Sequence, residues 1–261
     1  PDPDPEPDPE PAPDGQAPGT PGSGGASGPA TGGEQPAPVP VPVAGLRFDG
    51  VDDVLVAGPD PTAGLTGTAR TVEAWIRPEG DGARAIMGVW QHGSGGFYAR
   101  VSATGVLSAA VEDGAAWYEA QGSTPLGDGR WHHVAVVWRP GVAIDLYVDG
   151  VREPTRTEGT VAQAPAAYGA NGARIVVGAS GEHPSCGPTW WCDRFTGDMD
   201  DVRYSLGARY DGASFTPPAT LTPDADTIAR WSLDALPPVA EGAQAPATEA
   251  RGEPGTVTGT R

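Results

Sequence analysis

From residue 46 to 236 the chain is a succession of short alternating runs, each closed by a turn signal. None continues at helical period for more than about two turns. That pattern constrains the fold more than any other feature of the sequence. Residues 71–78 (TVEAWIRP) alternate apolar with polar side chains and stop at a proline. Residues 131–139 (WHHVAVVWR) are rich in β-branched and aromatic side chains. Successive strand residues point to opposite faces, so Val134, Val136 and Trp138 share one face. Residues 143–153 (AIDLYVDGVRE) place Ile144, Leu146 and Val148 together and run into Asp149-Gly150, a strong hairpin signal. RIVVGA, MDDVRYS and TIARWSLDAL supply further strands. The chain therefore reads as all-β, a two-sheet antiparallel sandwich. Helical bundles and doubly wound α/β folds do not fit this pattern.

The first 44 residues are of another kind. They hold 14 Pro and 8 Gly, half of the stretch, with seven acidic residues and no Arg. The opening PDPDPEPDPEPAP alternates proline with acid, and proline holds itself and its predecessor extended. Like charges then stiffen the run into a polyproline-II spacer, and GTPGSGGASGPATGG continues it as flexible coil. The expected organisation is a disordered acidic tether over 1–44, one folded domain over 45–236, and a Pro-, Gly- and Ala-rich tail over 237–261. That tail is too degenerate in sequence to be read as ordered. All 16 basic residues are Arg, and 34 acidic residues bring the net charge to −18. Such a chain repels polyanions, so no nucleic-acid partner is expected, and an anionic membrane face is equally unfavourable. No apolar run reaches the ~18–20 residues of a transmembrane helix.

Two cysteines, Cys186 and Cys192, enclose GPTWW. Two thiols are too few for a zinc site, and the spacing and context are not those of a redox pair. A local disulfide is expected, which implies an oxidising compartment. Within that loop Trp190 and Trp191 point opposite ways on an extended segment. One indole can anchor the loop while the other offers a platform to a sugar ring or a partner's apolar group; alternatively both close the sandwich end as lids. Trp117-Tyr118, and His92 with Phe97-Tyr98, are further aromatic candidates for ligand contact. His132 and His133 are sequential, so they cannot chelate one metal. With His92 and His183 they are expected to be structural. No nucleophile elbow, phosphate loop or dinucleotide fingerprint is present.

Taken in order, GLRFDGVDDVLV (45–56), TVEAWIRP (71–78), DGRWHHVAVVW (128–138), IDLYVDGV (144–151), FTGDMDDVRYS (195–205) and FTPPATLTPDADTIARWSLD (215–234) resemble the laminin-G-like, concanavalin A-type jelly-roll domains common in secreted bacterial proteins. The resemblance implies two antiparallel sheets packed face to face, with the first and last strands adjacent. It also implies one structural calcium, held by an Asp just before the Val-Arg-Tyr strand and by the first strand-turn. Those positions are Asp200 and the Asp49-Gly50 region, with Asp52 and Asp53 beside the latter and Asp198 and Asp201 beside the former. The same acids would alternatively serve only to cap turns and solvate an edge. A retaining glycosidase of this jelly-roll type would carry Glu-x-Asp-x-x-Glu on one strand, and no such run exists. The functional expectation is a non-catalytic extracellular recognition module, secreted or envelope-attached, whose partner is a glycan or glycoprotein. The alternative is a structural or protein-adhesion module of a surface lipoprotein or appendage, with a surface protein as partner and no small ligand.

Overall fold

The computed structural model describes residues 42, 45–62, 65, 67–91, 95–112, 117–159, 174–181, 183–186, 191–234, 245–247 and 255–258. The expected tether, apart from residue 42, lies outside them, as does Trp190. The strands are β1 (Leu46–Asp49), β2 (Val54–Pro59), β3 (Arg70–Pro78), β4 (Arg84–Gln91), β5 (Gly95–Val101), β6 (Val106–Glu112), β7 (Trp117–Pro125) and β8 (His132–Arg139). They continue with β9 (Ala143–Val148), β10 (Val151–Arg152), β11 (Arg156–Gly159), β12 (Arg174–Val177), β13 (Thr196–Leu206), β14 (Thr227–Trp231), β15 (Ala245–Ala247) and β16 (Gly255–Thr258). The described residues contain no α-helix, only a 3-10 turn at Pro184–Cys186.

Two antiparallel sheets result, as the alternating runs require. The first sheet runs β1-β13-β3-β8-β9-β10, and β14 also pairs with β13. The second runs β11-β7-β6-β5-β4-β12-β2-β16-β15. The first strand and β14 both flank β13, against Met199–Thr196 and Val202–Ser205 respectively, and they do not pair with each other. The C-terminal tail contributes two strands. Within it, β16 pairs with β2 and β15 with β16, so the tail extends the second sheet. Hydropathy cannot show this, because an edge strand needs backbone hydrogen bonds more than apolar side chains.

The core lies between the sheets. Val72, Ala74 and Ile76 of β3, Val134, Val136 and Trp138 of β8, and Ile144, Leu146 and Val148 of β9 meet Phe97, Ala99, Val101, Leu107, Ala109, Val111 and Tyr118 from the second sheet. Phe97 stacks on Trp138 across the gap, with centroids 5.5 Å apart. At the β9–β10 hairpin Asp149 and Gly150 both take positive φ (50° and 78°), the turn that Asp-Gly favours.

The first sheet's outer face is covered by the chain that follows β13. Tyr210 and Phe215 stack at 3.6 Å and pack with Ala135, Val137 and Tyr147. Trp75 Nε1 donates to the Pro218 carbonyl at 3.1 Å. Beneath this strap Glu73 is fully buried. It accepts from Arg203 Nε and Nη2 (2.9 and 2.7 Å) and from the Tyr210 hydroxyl (2.6 Å). His133 Nε2 lies 3.5 Å from the same carboxylate. Burial pushes the Glu73 carboxyl up, but His133 and the Arg203 guanidinium outweigh it and hold the carboxyl below its ordinary value.

Candidate functional site: the open face of the second sheet

The second sheet turns a different set of side chains outward. The pairing of β4 through β7 sets Trp90, Gly96, Glu112 and Trp117 side by side across four strands. The next row is Gly88, Tyr98, Ala110 and Glu119, followed by Arg100, Ser108 and Gln121. Val89, Phe97, Val111 and Tyr118 alternate to the inside and join the core.

Small residues let this strip lie flat. Gly96 has no room for a Cβ, which would run into Val89 and Trp90. Trp90 reaches across the strand that holds Gly96, and its Nε1 donates to Glu112 Oε2 at 2.7 Å. The indole N–H lies in the ring plane, so this bond draws the ring along the sheet and keeps it from standing upright. Trp117 is 39% exposed, and its indole lies near enough to the Tyr98 phenol to lower its pKa. Burial raises the Tyr98 hydroxyl above its ordinary value, against the opposing effects of Arg100 and Trp117. Arg100 lies over the Tyr98 ring, 5.1 Å from its centroid, and pairs with Glu119 (3.1 Å) and Asp193 (3.0 Å). Burial pulls that guanidinium down, while Tyr98, Glu119 and Asp193 together raise it by more.

A disulfide loop borders the strip. Cys186 and Cys192 are bonded, with Cα atoms 5.2 Å apart. The loop's arms are laced by Ser180 N to Cys192 O (3.0 Å) and Cys192 N to Gly181 O (3.1 Å). It crosses β4 at Gly88, where any Cβ would run into the Ser180 backbone. From it His183 stacks on Trp90, with centroids 5.8 Å apart and planes 26° apart, and Asp193 meets Arg100.

The structure separates the aromatic candidates of the sequence. Trp117 is on the open face. Tyr118 is not: it is 6% exposed and in the core, because alternation sends it the other way. Trp191 is half-buried over Val54, Val56, Val176 and Ala179, with Arg174 above its ring at 5.5 Å. Trp90, Arg100, Glu112, Glu119 and Asp193 were not singled out in the sequence. The outward parity of residues 84–121 carries the signal for four of them, but only strand register joins them into a strip.

The acidic candidates also fall apart into two places. The carboxylates of Asp49, Asp52 and Asp53 lie within 4.8 Å of one another at the turn after β1, where Gly50 has φ 78°. Asp49 Oδ1 accepts the Val51 N–H at 2.7 Å, and Asp53 Oδ2 accepts the Asp49 N–H at 3.0 Å. Asp200 does not join them. Register places Thr196 opposite Asp49, so Asp200 lies four residues further along β13, about 13 Å away. It sits instead with Asp201 and Asp234, and burial, then those two carboxylates, push its carboxyl up to about 7. Thus an all-oxygen cluster suited to a hard cation exists at Asp49, Asp52 and Asp53 without Asp200.

Comparison with known proteins decides the family. Residues 49–211 match the concanavalin A-like lectin/glucanases superfamily. The chain belongs to that superfamily. As a member with a laminin-G-like sandwich, it carries the whole aromatic strip inside the matched region. Among solved structures, a Bacteroides ovatus protein named for carbohydrate binding is similar over 82% of this chain, at 20% identity and a TM-score of 0.51. The chain spans 58% of that structure's length. Mouse laminin α1 domains LG4-5 align over 66% of this chain and 44% of theirs, at 17% identity and a TM-score of 0.45. A Limulus polyphemus SAP-like pentraxin aligns over 60% of this chain and 73% of its own, at 16% identity and a TM-score of 0.41. Curated proteins give no match. The superfamily's sandwich and the disulfide suit an extracellular domain, and no helix among the described residues is long and apolar enough to cross a membrane.

Proposed function

We propose that this chain is a non-catalytic, secreted or envelope-attached recognition module that binds a glycan on the open face of its second sheet. The observation that carries the reading is the row Trp90, Gly96, Glu112, Trp117, in which a tethered indole and an exposed one flank a carboxylate. Sugar rings stack their C–H faces on aromatic planes, and a carboxylate accepts their hydroxyls in charge-assisted hydrogen bonds. Superfamily membership and the carbohydrate-binding name of the Bacteroides ovatus protein support this reading. The missing Glu-x-Asp-x-x-Glu run supports a binding role over hydrolysis.

Trp117→Ala is the direct test. Its ring is partly exposed, so glycan affinity should fall at least tenfold, about 1.4 kcal/mol, with folding stability changed by less than about 1 kcal/mol. Affinity unchanged in calorimetric titration would refute the site. We also propose that Asp49, Asp52 and Asp53 hold one calcium, which would brace the entry to β2.

A further inference from the structure

We infer that the strip selects an uncharged glycan and rejects chains bearing carboxylate or sulfate groups. This rests on the glycan reading above and adds the ligand's chemical class. The strip and its borders carry four carboxylates, Glu112, Glu119, Glu158 and Asp193, against two cations, Arg100 and Arg156. Both cations are already paired. The two terminal nitrogens of Arg100 pair with Glu119 and Asp193, and its Nε donates to Ser108 Oγ at 3.3 Å. Arg156, on the edge strand β11, pairs with Glu158 at 3.2 Å, and Arg174 on β12 lies over the Trp191 ring.

An anionic sugar needs an uncommitted guanidinium or ammonium to replace the water it gives up. Here it would have to break a two-carboxylate clamp that is itself half-buried. It would also meet Glu112, held in place by the Trp90 indole. No Lys exists anywhere in the chain, and the connections that flank the row, 92–94 and 113–116, contain no Arg. The net charge of −18 adds a field of the same sign. A neutral sugar suffers none of these penalties. It can stack on the indoles and donate hydroxyls to Glu112, whose Oε1 accepts no hydrogen bond among the described residues.

The experiment is a glycan array probed with the full chain at low ionic strength, where screening does not hide repulsion. The array carries neutral hexose and N-acetylhexosamine chains beside sialylated, uronic-acid and sulfated ones. Hits should be confined to uncharged chains. In titration, an acid-substituted version of the best hit should bind at least tenfold weaker, about 1.4 kcal/mol. In Glu112→Gln the ratio of anionic to neutral affinity should rise several-fold. Anionic glycans binding as well as neutral ones would overturn the selectivity and leave glycan recognition standing. Binding to no glycan of either class would overturn both.

Discussion

The two sheets share one core and yet present opposite outer faces. On the first, Glu73, His133 and Arg203 are shut beneath the strap of Tyr210 and Phe215, and Glu73 is paired there with Arg203. On the second, Trp117 is 39% exposed, Trp90 and Tyr98 are half-buried, and Glu112, Glu119, Glu158 and Asp193 outnumber Arg100 and Arg156. The difference teaches how to separate scaffold from site in a sandwich of this kind. Both faces carry aromatic rings and acids. Only where chain does not cover them can they exchange water for a ligand. Charge enclosed with its counter-charge specifies a strap; charge left in excess beside flat rings specifies what may approach.

The comparison breaks most visibly at Glu73. Glu73→Gln leaves Arg203 buried without its counter-charge, so about 3–5 kcal/mol of stability should be lost in urea unfolding. Glycan affinity on the opposite face should be unaffected. A loss below about 1 kcal/mol would mean that the strap does not seal this face. Because the folded carboxyl is held low, its contribution is present above the unfolded carboxylate range and is lost as pH falls through the folded value.

Asp200, on the strap side of β13 and 6% exposed, has the opposite sign. Its folded pKa of about 7 exceeds that of an unfolded Asp, so its favourable contribution is complete below about pH 4 and lost as pH rises to about 7. Asp200→Asn should therefore stabilise the protein above neutrality by on the order of 2–4 kcal/mol and change little in acid. Melting curves across that window check it, and a destabilised variant at high pH would contradict the burial argument.

The open face is sharpened by its disulfide. Replacing Cys186 and Cys192 by Ser frees a short loop and should cost about 2 kcal/mol. It should also weaken glycan binding several-fold, because His183 and Asp193 are no longer held against Trp90 and Arg100. Retained affinity would show that the strip assembles without the loop. The smallest effect is that of calcium. Millimolar calcium should add about 1 kcal/mol, a few degrees in Tm, and the increment should vanish in Asp52→Asn. An unchanged melting curve sinks that site.

Much of the fold was legible because strand alternation is a local property. Val134, Val136 and Trp138 share a face in the sequence and in the core alike, and Asp149-Gly150 makes the turn its composition favours. The disulfide was legible for the same reason, since its partners lie six positions apart. Tyr118, a sequence candidate for ligand contact, lies in the core, because aromatic character alone does not say which way a residue points. The expected union of Asp200 with the Asp49 turn failed on register: proximity of strands is not proximity of side chains along them.

The sequence by itself determined that this chain folds as a two-sheet antiparallel sandwich, which residues turn inward on many strands, and that its surface is acidic. Those properties follow from side-chain period and charge, which are written residue by residue. Only the tertiary structure decided which outer face stays open, and that Trp90, Gly96, Glu112 and Trp117 form one row. A row across four strands depends on register and on where later chain comes to rest. Both are set by packing between segments far apart in sequence, which no local pattern encodes.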